Sequence, residues 1–407
     1  MNRAMSPHGR AEASLAPPSP PRSPWQFVYG AAHRARRAWY RRRAERLPRP
    51  VVSVGNLHWG GGGKTPLVAA VAAHLRDAGH RVAILSRGYG RDSTGIRVVS
   101  DGGPPLVGPG EAGDEPFLLS EQLPGVAVVV GAERAAAGRH ALEHLASPPD
   151  LFLLDDGFSH LALHRDLDLL AFPAADPFAG GRLFPGGRLR EPLASCRHAD
   201  AALLTGLAPE VVAQEEVAQE GTEGSAKSGA GAGAGRRKAE ALAAALGEHG
   251  FEGAAFACAL EAAALRRVDD GDGDDSGSEV GSDAGSDAGP LAAGTRLLPV
   301  CAIARPGGFL AGAAAAAAAA GLELAPALTF RDHHDYPPAS LEEIRRAAAA
   351  AGAGAVVTTA KDRVKLHRRH LGLALVELPV RARPEAAFWA WLDGRLEPLL
   401  RRGKGAG

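Results

Sequence analysis

Cysteine is almost missing from this chain. It occurs three times in 407 residues, as Cys196, Cys258 and Cys301. That wide spacing fits neither a zinc set nor a disulfide framework, and it predicts reduced thiols of a cytosolic protein. Net charge is also lacking: 46 basic residues balance 46 acidic ones. Nothing therefore suggests a nucleic-acid footprint over the whole protein, and no nucleic-acid partner is expected. No convincing membrane span is present. The most apolar stretch, residues 309–325, is mostly alanine interrupted by Gly312 and Gly321. Alanine is too weakly hydrophobic for that role, so the stretch reads as a buried or amphipathic helix. The first 24 residues are rich in Pro, Ser and Arg and lack the apolar segment of a secretory signal.

What remains is enough chain for roughly two to three domains. One stretch organises it. Val51-Val52-Ser53-Val54 is a β-branched apolar run, followed by Gly60, Gly61, Gly62 and Gly63 and then by Lys64-Thr65-Pro66. Residues 66–78 continue with helical spacing, with Pro at the start and Gly79 at the end. Strand, glycine loop and helix in that order build a phosphate cradle. Glycines permit the φ > 0 turns that aim successive N–H groups inward, and the helix adds its positive end. Lys64 would reach the outer phosphates and the Thr65 hydroxyl would sit on Mg²⁺. One departure stands out: the usual first glycine of such loops is His58 here.

From residue 51 to about 205, apolar runs alternate with helical patterns, at 51–54, 81–85, 126–130, 151–154, 167–172 and 201–204. Continuously apolar strands alternating with helices argue a parallel sheet covered on both faces. The expected architecture is α/β: a P-loop nucleotide-binding domain over 49–268, then a second, smaller α/β domain over 291–400. In the latter, strands are expected at 296–303 and 354–358 and helices at 309–320, 341–351 and 386–400. Residues 1–23 read as disordered and 221–235 as a flexible Gly/Ala/Ser insertion. Residues 269–290 carry eight acidic side chains and no basic one, and read as a solvated loop. Residues 24–48 read as an N-terminal amphipathic helix. Trp25, Val28, Tyr29, Ala32, Ala35 and Trp39 recur at helical spacing while arginines crowd its second half. Such a helix can lie in a bilayer interface held by anionic headgroups, or dock on its own domain.

Several residues carry chemistry. Asp155 and Asp156 end an apolar strand, where a P-loop enzyme holds Mg²⁺ or its waters. Ser86-Arg87-Gly88-Tyr89-Gly90 follows the second strand, at the sheet edge where open α/β sheets bind ligands, so Arg87 and Tyr89 can grip a phosphate or a sugar hydroxyl. Asp114, in Gly113-Asp114-Glu115-Pro116, is a base or a helix N-cap, and composition alone favours the cap. Asp332-His333-His334-Asp335-Tyr336 is dense in groups able to move protons near neutral pH.

Together these motifs resemble the tetraacyldisaccharide 4′-kinase family, a P-loop kinase family of lipid A biosynthesis. The resemblance runs from about Trp25 to Trp391. It rests on ten pieces in family order, among them Ser53-Val54-Gly55-Asn56 with the glycine loop, the two motifs after Ser86 and Gly113, and Val130-Gly131-Ala132-Glu133-Arg134. Leu154-Asp155-Asp156-Gly157-Phe158-Ser159-His160, Leu189-Arg190-Glu191-Pro192-Leu193, Ala302-Ile303-Ala304-Arg305-Pro306 and the Asp332 motif follow. The family also lacks the first loop glycine, which accounts for His58. Ala360 stands where Glu is typical, so no role is read into the loop around Lys361 and Asp362. The resemblance implies ATP and Mg²⁺, with transfer of the γ-phosphoryl group to the 4′-hydroxyl of a tetraacylated glucosamine disaccharide 1-phosphate. It implies Asp114 as base assisted by His333, overturning the cap reading. It leaves Arg87, Tyr89, Arg134 and His160 as candidate phosphate and substrate contacts. It implies a peripheral protein on the cytoplasmic face of the bacterial inner membrane, held through residues 24–46. The rival reading is a nucleotide-dependent switch or assembly ATPase.

Overall fold

A computed structural model of the chain describes residues 24–40, 42–60, 62–213, 233–268, 291–367, 369 and 371–404. The segments expected to be disordered or solvated at 1–23 and 269–290 lie outside the described residues, as do Gly61 and residues 221–232 of the expected insertion.

The strands in chain order begin with β1 (Val51–Gly55), β2 (Val82–Ser86), β3 (Arg97–Asp101), β4 (Ala127–Val130) and β5 (Leu151–Asp155). Next come β6 (Leu167–Pro173), β7 (Ala201–Leu207), β8 (Ala254–Ala262), β9 (Arg266–Val268) and β10 (Arg296–Cys301). The last are β11 (Glu323–Leu324), β12 (Leu328–Thr329), β13 (Ala355–Thr359), β14 (Ala374–Leu378) and β15 (Val380–Pro384). The helices are α1 (Pro24–Tyr40), α2 (Lys64–Asp77), α3 (Pro109–Ala112), α4 (Asp114–Gln122), α5 (Arg134–His144) and α6 (Pro209–Ala213). They continue as α7 (Ala234–Gly247), α8 (Pro306–Ala319), α9 (Pro338–Ala351), α10 (Ala360–Leu366) and α11 (Ala386–Lys404).

Nine strands form the first sheet, in the order β15-β8-β7-β6-β1-β5-β2-β4-β3. From β8 to β4 every pairing is parallel, and β15 and β3 close the two edges antiparallel. The apolar runs read as strands because both faces are covered, and alternate residues serve opposite cores. Val52, Val54, Ile84, Val128 and Leu153 pack with α2, α4 and α11. Val51, Leu85, Val129, Phe152 and Leu154 face α5. Leu170, Phe172, Leu204 and Ala257 face α7. The second sheet runs β11-β10-β13-β14-β9, with β12 also on β10. It carries α8 on one face and α9 on the other. Residues 309–319 thus lie within α8, and no helix among the described residues is long and apolar enough to cross a membrane.

The chain crosses between the sheets twice, and this corrects the expected boundaries. β9, assigned above to the first domain, pairs antiparallel with β14 of the second sheet. β15, assigned to the second, pairs with β8, and α11 packs its Phe388, Leu392 and Leu396 into the first sheet's core. Edge strands recruited over such distances leave no local mark on composition. The helix α7 likewise begins inside the expected flexible insertion, at Ala234.

Register fixes where the site lies. Val54 pairs with Asp155, Leu154 with Leu85, and Ser86 with Val130. The loops that leave β1, β5, β2 and β4 therefore open together along one carboxyl edge of the sheet.

Candidate active site

At that edge the chain turns through Asn56–Gly63 into α2. Gly63 caps the helix at φ 74° and Gly60 stands at φ 96°, conformations that a side chain strains. Gly55 is small for a different reason: a Cβ there would lie 2.5 Å from Cβ of Phe158, which packs against the loop after β5. The helix opens on Lys64, whose ammonium donates to Asp156 Oδ1 at 2.7 Å and Asn56 Oδ1 at 3.2 Å. Arg190 approaches Asp156 from the other side, with Nη1 and Nη2 each 2.6 Å from a carboxylate oxygen, and its Nη2 also reaches Asn56 Oδ1 at 2.7 Å. Burial alone would favour the neutral acid at Asp156, but Lys64 and Arg190 outweigh it and hold the carboxyl well below its usual range.

Asp155 has the opposite environment. It is 3% exposed, its Oδ2 accepts only from Ser86 at 3.2 Å, and its buried Oδ1 has no partner among the described residues. Burial, then the charges of Glu115 and Asp156, push its pKa up to about 7. A buried carboxylate oxygen with no donor suits a cation. Among the described residues no group of three or more His, Cys, Asp or Glu side chains could hold a metal ion. That donor set fits Mg²⁺, which takes one or two protein oxygens and completes its shell with phosphate and water, better than zinc.

Around this pair stand the other edge residues. Arg134 is buried at the start of α5, its Nη1 donating to the Ala132 carbonyl at 3.0 Å, and burial followed by Arg87 lowers its pKa to about 10. His160 falls to about 4 through burial and then the charges of Arg134, Arg165 and Arg87, so it is neutral at pH 7. Arg87 and Tyr89 are exposed at the mouth.

The acceptor wall is shared between α4 of the first unit and the second unit. Gly113, at φ 88°, is the N-cap of α4. Asp114 is instead the first helical residue, and its carboxylate pairs with Lys365 of α10 at 3.2 Å. Lys365 also donates to the carbonyls of His333 and His334 and to Asp335 Oδ1, at 3.4, 3.1 and 3.1 Å. Burial would weaken that ammonium, but Asp114 and Asp335 outweigh it and hold the proton on. Lys361 donates to Glu115 Oε1 at 3.1 Å and stands 3.4 Å from His333 Nε2. The ring of Tyr89 lies edge-on to His333 at 5.7 Å. His333 itself holds φ 60°, in the left-handed region, which brings its backbone carbonyl to Lys365. Arg363 clamps Glu377 at 2.7 Å and pairs with Glu121 of α4, tying the two units behind the cleft.

Three comparisons bear on this arrangement. The family model described as tetraacyldisaccharide-1-P 4′-kinase (LpxK) matches residues 22–397. The chain belongs to the tetraacyldisaccharide 4′-kinase family. A tetraacyldisaccharide 4′-kinase of Anaeromyxobacter dehalogenans is 41% identical over 328 residues, covering 79% of this chain and 74% of its own. That of Geobacter sulfurreducens is 38% identical over 349 residues, covering 83% and 82%. The crystal structure of LpxK from Aquifex aeolicus in complex with ATP aligns with a TM-score of 0.60 at 29% identity, covering 93% of this chain and 97% of that one.

Set against this family's motifs, the structure brings Lys64, Asp155 and Asp156 together and places Asp114 and His333 on the two sides of Lys365. The cap reading of Asp114 does not hold, because glycine fills that position. The sequence assigns no role to four residues of the site. Arg190 and Asn56 sit inside motifs of the family, and an arginine beside Glu191 was the available signal. Lys361 and Lys365 form a Lys-x-x-x-Lys pair one helical turn apart, which says nothing of the carboxylates they meet on α4, Glu115 lying 246 residues away from Lys361.

Proposed function

We propose that the chain transfers the γ-phosphoryl group of ATP to the 4′-hydroxyl of a tetraacylated glucosamine disaccharide 1-phosphate, a step of lipid A biosynthesis. The observation that carries the reading is that Asp155, beside Lys64 and Asp156, feels the charge of Glu115, and that Glu115 meets Lys361 next to His333 while the neighbouring Asp114 meets Lys365.

In this reading the backbone N–H groups of the loop, from Gly60 through Gly63, cradle the donor phosphates, and Lys64 moves with them to the transferring group. Asp156 and Asn56, themselves held by Arg190, keep the Lys64 ammonium in place. Thr65 and Asp155, with Asp156 beside them, would hold Mg²⁺, which would supply charge neutralisation on the phosphate oxygens. Asp114, oriented by Lys365 and assisted by His333, accepts the proton of the sugar hydroxyl. Arg87 and Tyr89 at the mouth, with Arg134 and His160 deeper, meet phosphate and sugar oxygens.

The protein acts as a peripheral enzyme on the cytoplasmic face of the inner membrane, and α1 supports this. It docks with its polar side inward. Glu191 accepts from Arg37 at 2.8 Å and from Ser159 at 2.5 Å, and His33 lies 3.4 Å away. Trp25, Phe27, Val28 and Trp39 are left outward, Phe27 at 72% exposure. A helix that buries Gln26 and His33 while exposing two tryptophans is built for a lipid interface rather than for water. The test is transfer of labelled phosphate from ATP to the lipid A disaccharide precursor in detergent micelles. Product that forms only with acceptor supports the kinase; equal ATP hydrolysis without acceptor supports a switch and contradicts the proposal.

A further inference from the structure

The opposite, amino edge of the first sheet carries a cavity that the phosphotransfer site does not use. It measures about 1330 Å³ and lies between the second half of α1, the approach to β6 at Leu163–Asp168, and the segments ahead of β7 and β8. The seven residues of β6 separate the two edges by roughly 20 Å at ~3.3 Å per residue. Arg34, Arg42, Arg43, Arg46 and Arg197 line it. Among the described residues none of these five makes an ion pair, whereas Arg165 is spent on Asp168 and Arg37 on Glu191. Glu252 is the other carboxylate on the wall. All five are exposed, with Arg197 donating to the Ala194 carbonyl at 2.8 Å, and like charges gathered around one hollow repel one another unless an anion sits among them.

The rim indicates what neutralises them. Arg43 stacks on the Trp39 ring at 4.4 Å, and Trp39 is 53% exposed. Trp39 shares its helix face with Trp25 and Val28 at the far end of α1, so the cavity mouth opens beside the outward aromatic face. An exposed indole beside exposed arginines matches the chemistry of a bilayer interface, where aromatic rings sit at headgroup level and cations meet lipid phosphate. The volume exceeds that of a phosphate ion several-fold and accommodates a glycerophosphate headgroup.

We propose that this cavity is a binding site for the phosphodiester headgroup of an anionic glycerophospholipid, separate from the acceptor lipid's site. The proposal rests on the reading of α1 as an interfacial helix and assigns to it a specific anion seat.

The experiment is flotation of the full-length protein with vesicles of phosphatidylcholine, alone or in equimolar mixture with phosphatidylglycerol, at physiological salt. The wild type is expected to favour the anionic vesicles. The triple substitution Arg34→Gln, Arg46→Gln and Arg197→Gln should reduce that affinity by about five-fold per arginine, roughly 10² in all, and leave binding to pure phosphatidylcholine unchanged. The corresponding lysine substitutions should recover most of the loss, which separates lost charge from lost folding. Wild-type affinity of the glutamine variant for anionic vesicles, or an equal loss on both vesicle types, overturns the proposal. Displacement of the wild type from anionic vesicles by millimolar inorganic phosphate would assign the cavity to a free anion and overturn it too. Trp25→Ala with Phe27→Ala should weaken binding to both vesicle types. A wild type that floats with neither vesicle sinks the interfacial reading of α1 itself, while binding that ignores headgroup charge sinks the cavity alone.

Discussion

The two walls of the cleft are built differently. The phosphate-donor wall belongs to one sheet: Lys64, Asn56, Asp155 and Asp156 lie within a few residues of adjacent parallel strands, and hydrogen bonds between Lys64, Asp156 and Arg190 lock them. The acceptor wall is assembled from two units. Asp114 and Glu115 come from α4, and Lys361 and Lys365 from α10, joined by ion pairs of 3.1 and 3.2 Å. The first wall is set by strand register and needs only its own fold. The second exists only when the two sheets are docked, so its geometry depends on the junction. A site divided in this way can bind a nucleotide with one wall and become competent only when both meet.

Substitutions at each wall should separate these roles. Asp114→Ala is expected to lower kcat by about 10²–10⁴ with ATP affinity nearly intact, measured by steady-state transfer and by nucleotide titration. Lys64→Ala should cost about 10²–10³ in turnover and weaken ATP binding as well, since it removes a charge from the donor wall. Should both variants change kcat and ATP affinity alike, the division between walls is wrong. Lys365→Met removes a positioning contact rather than a reacting group. Its expected loss is smaller, between about ten- and a hundred-fold, and wild-type turnover would show that Asp114 needs no help from α10.

The smallest effect on turnover concerns Glu191, which joins α1 to the donor wall beside Arg190. Burial would raise its pKa, but His33, Arg37 and Ser159 outweigh it and bring it down to about 2. A depressed folded pKa contributes stability above the unfolded value of about 4.5, and that contribution is lost as pH falls from there toward 2. The contribution is on the order of 3 kcal/mol. Melting temperatures across that window should fall steeply in the wild type and less steeply in Glu191→Gln. Parallel curves would show that the pair does not hold α1.

The same contrast explains what could be read without coordinates. The donor wall is local in sequence: an apolar run, glycines, Lys64 and Thr65, then an apolar run ending in two Asp, each a pattern with a direct physical meaning. The core strands β1, β2, β4, β5, β6 and β7 were legible for the same reason, whereas β8, largely alanine around Phe256, was not. The antiparallel edges β3 and β15 were not, because one-sided edge strands carry no continuous apolar signal. The domain boundary was misjudged where β9 and β15 exchange sheets. Asp114 illustrates the acceptor wall. Composition alone favours a helix cap, the family resemblance implies a base, and only the fold reveals Gly113 at the cap and Lys365 at the carboxylate. The inward polar face of α1 was likewise hidden, since aromatic spacing does not say which side docks.

The central claim is that Asp114 and His333, brought from the two units, act on one proton. A double-mutant cycle of Asp114→Ala and His333→Ala, read as single-turnover phosphate transfer to the disaccharide acceptor with saturating ATP, tests it most directly. The account predicts that the double variant is scarcely slower than Asp114→Ala alone, because groups that act as a unit are not additive. Fully multiplicative losses, or a wild-type rate in Asp114→Ala, would contradict it.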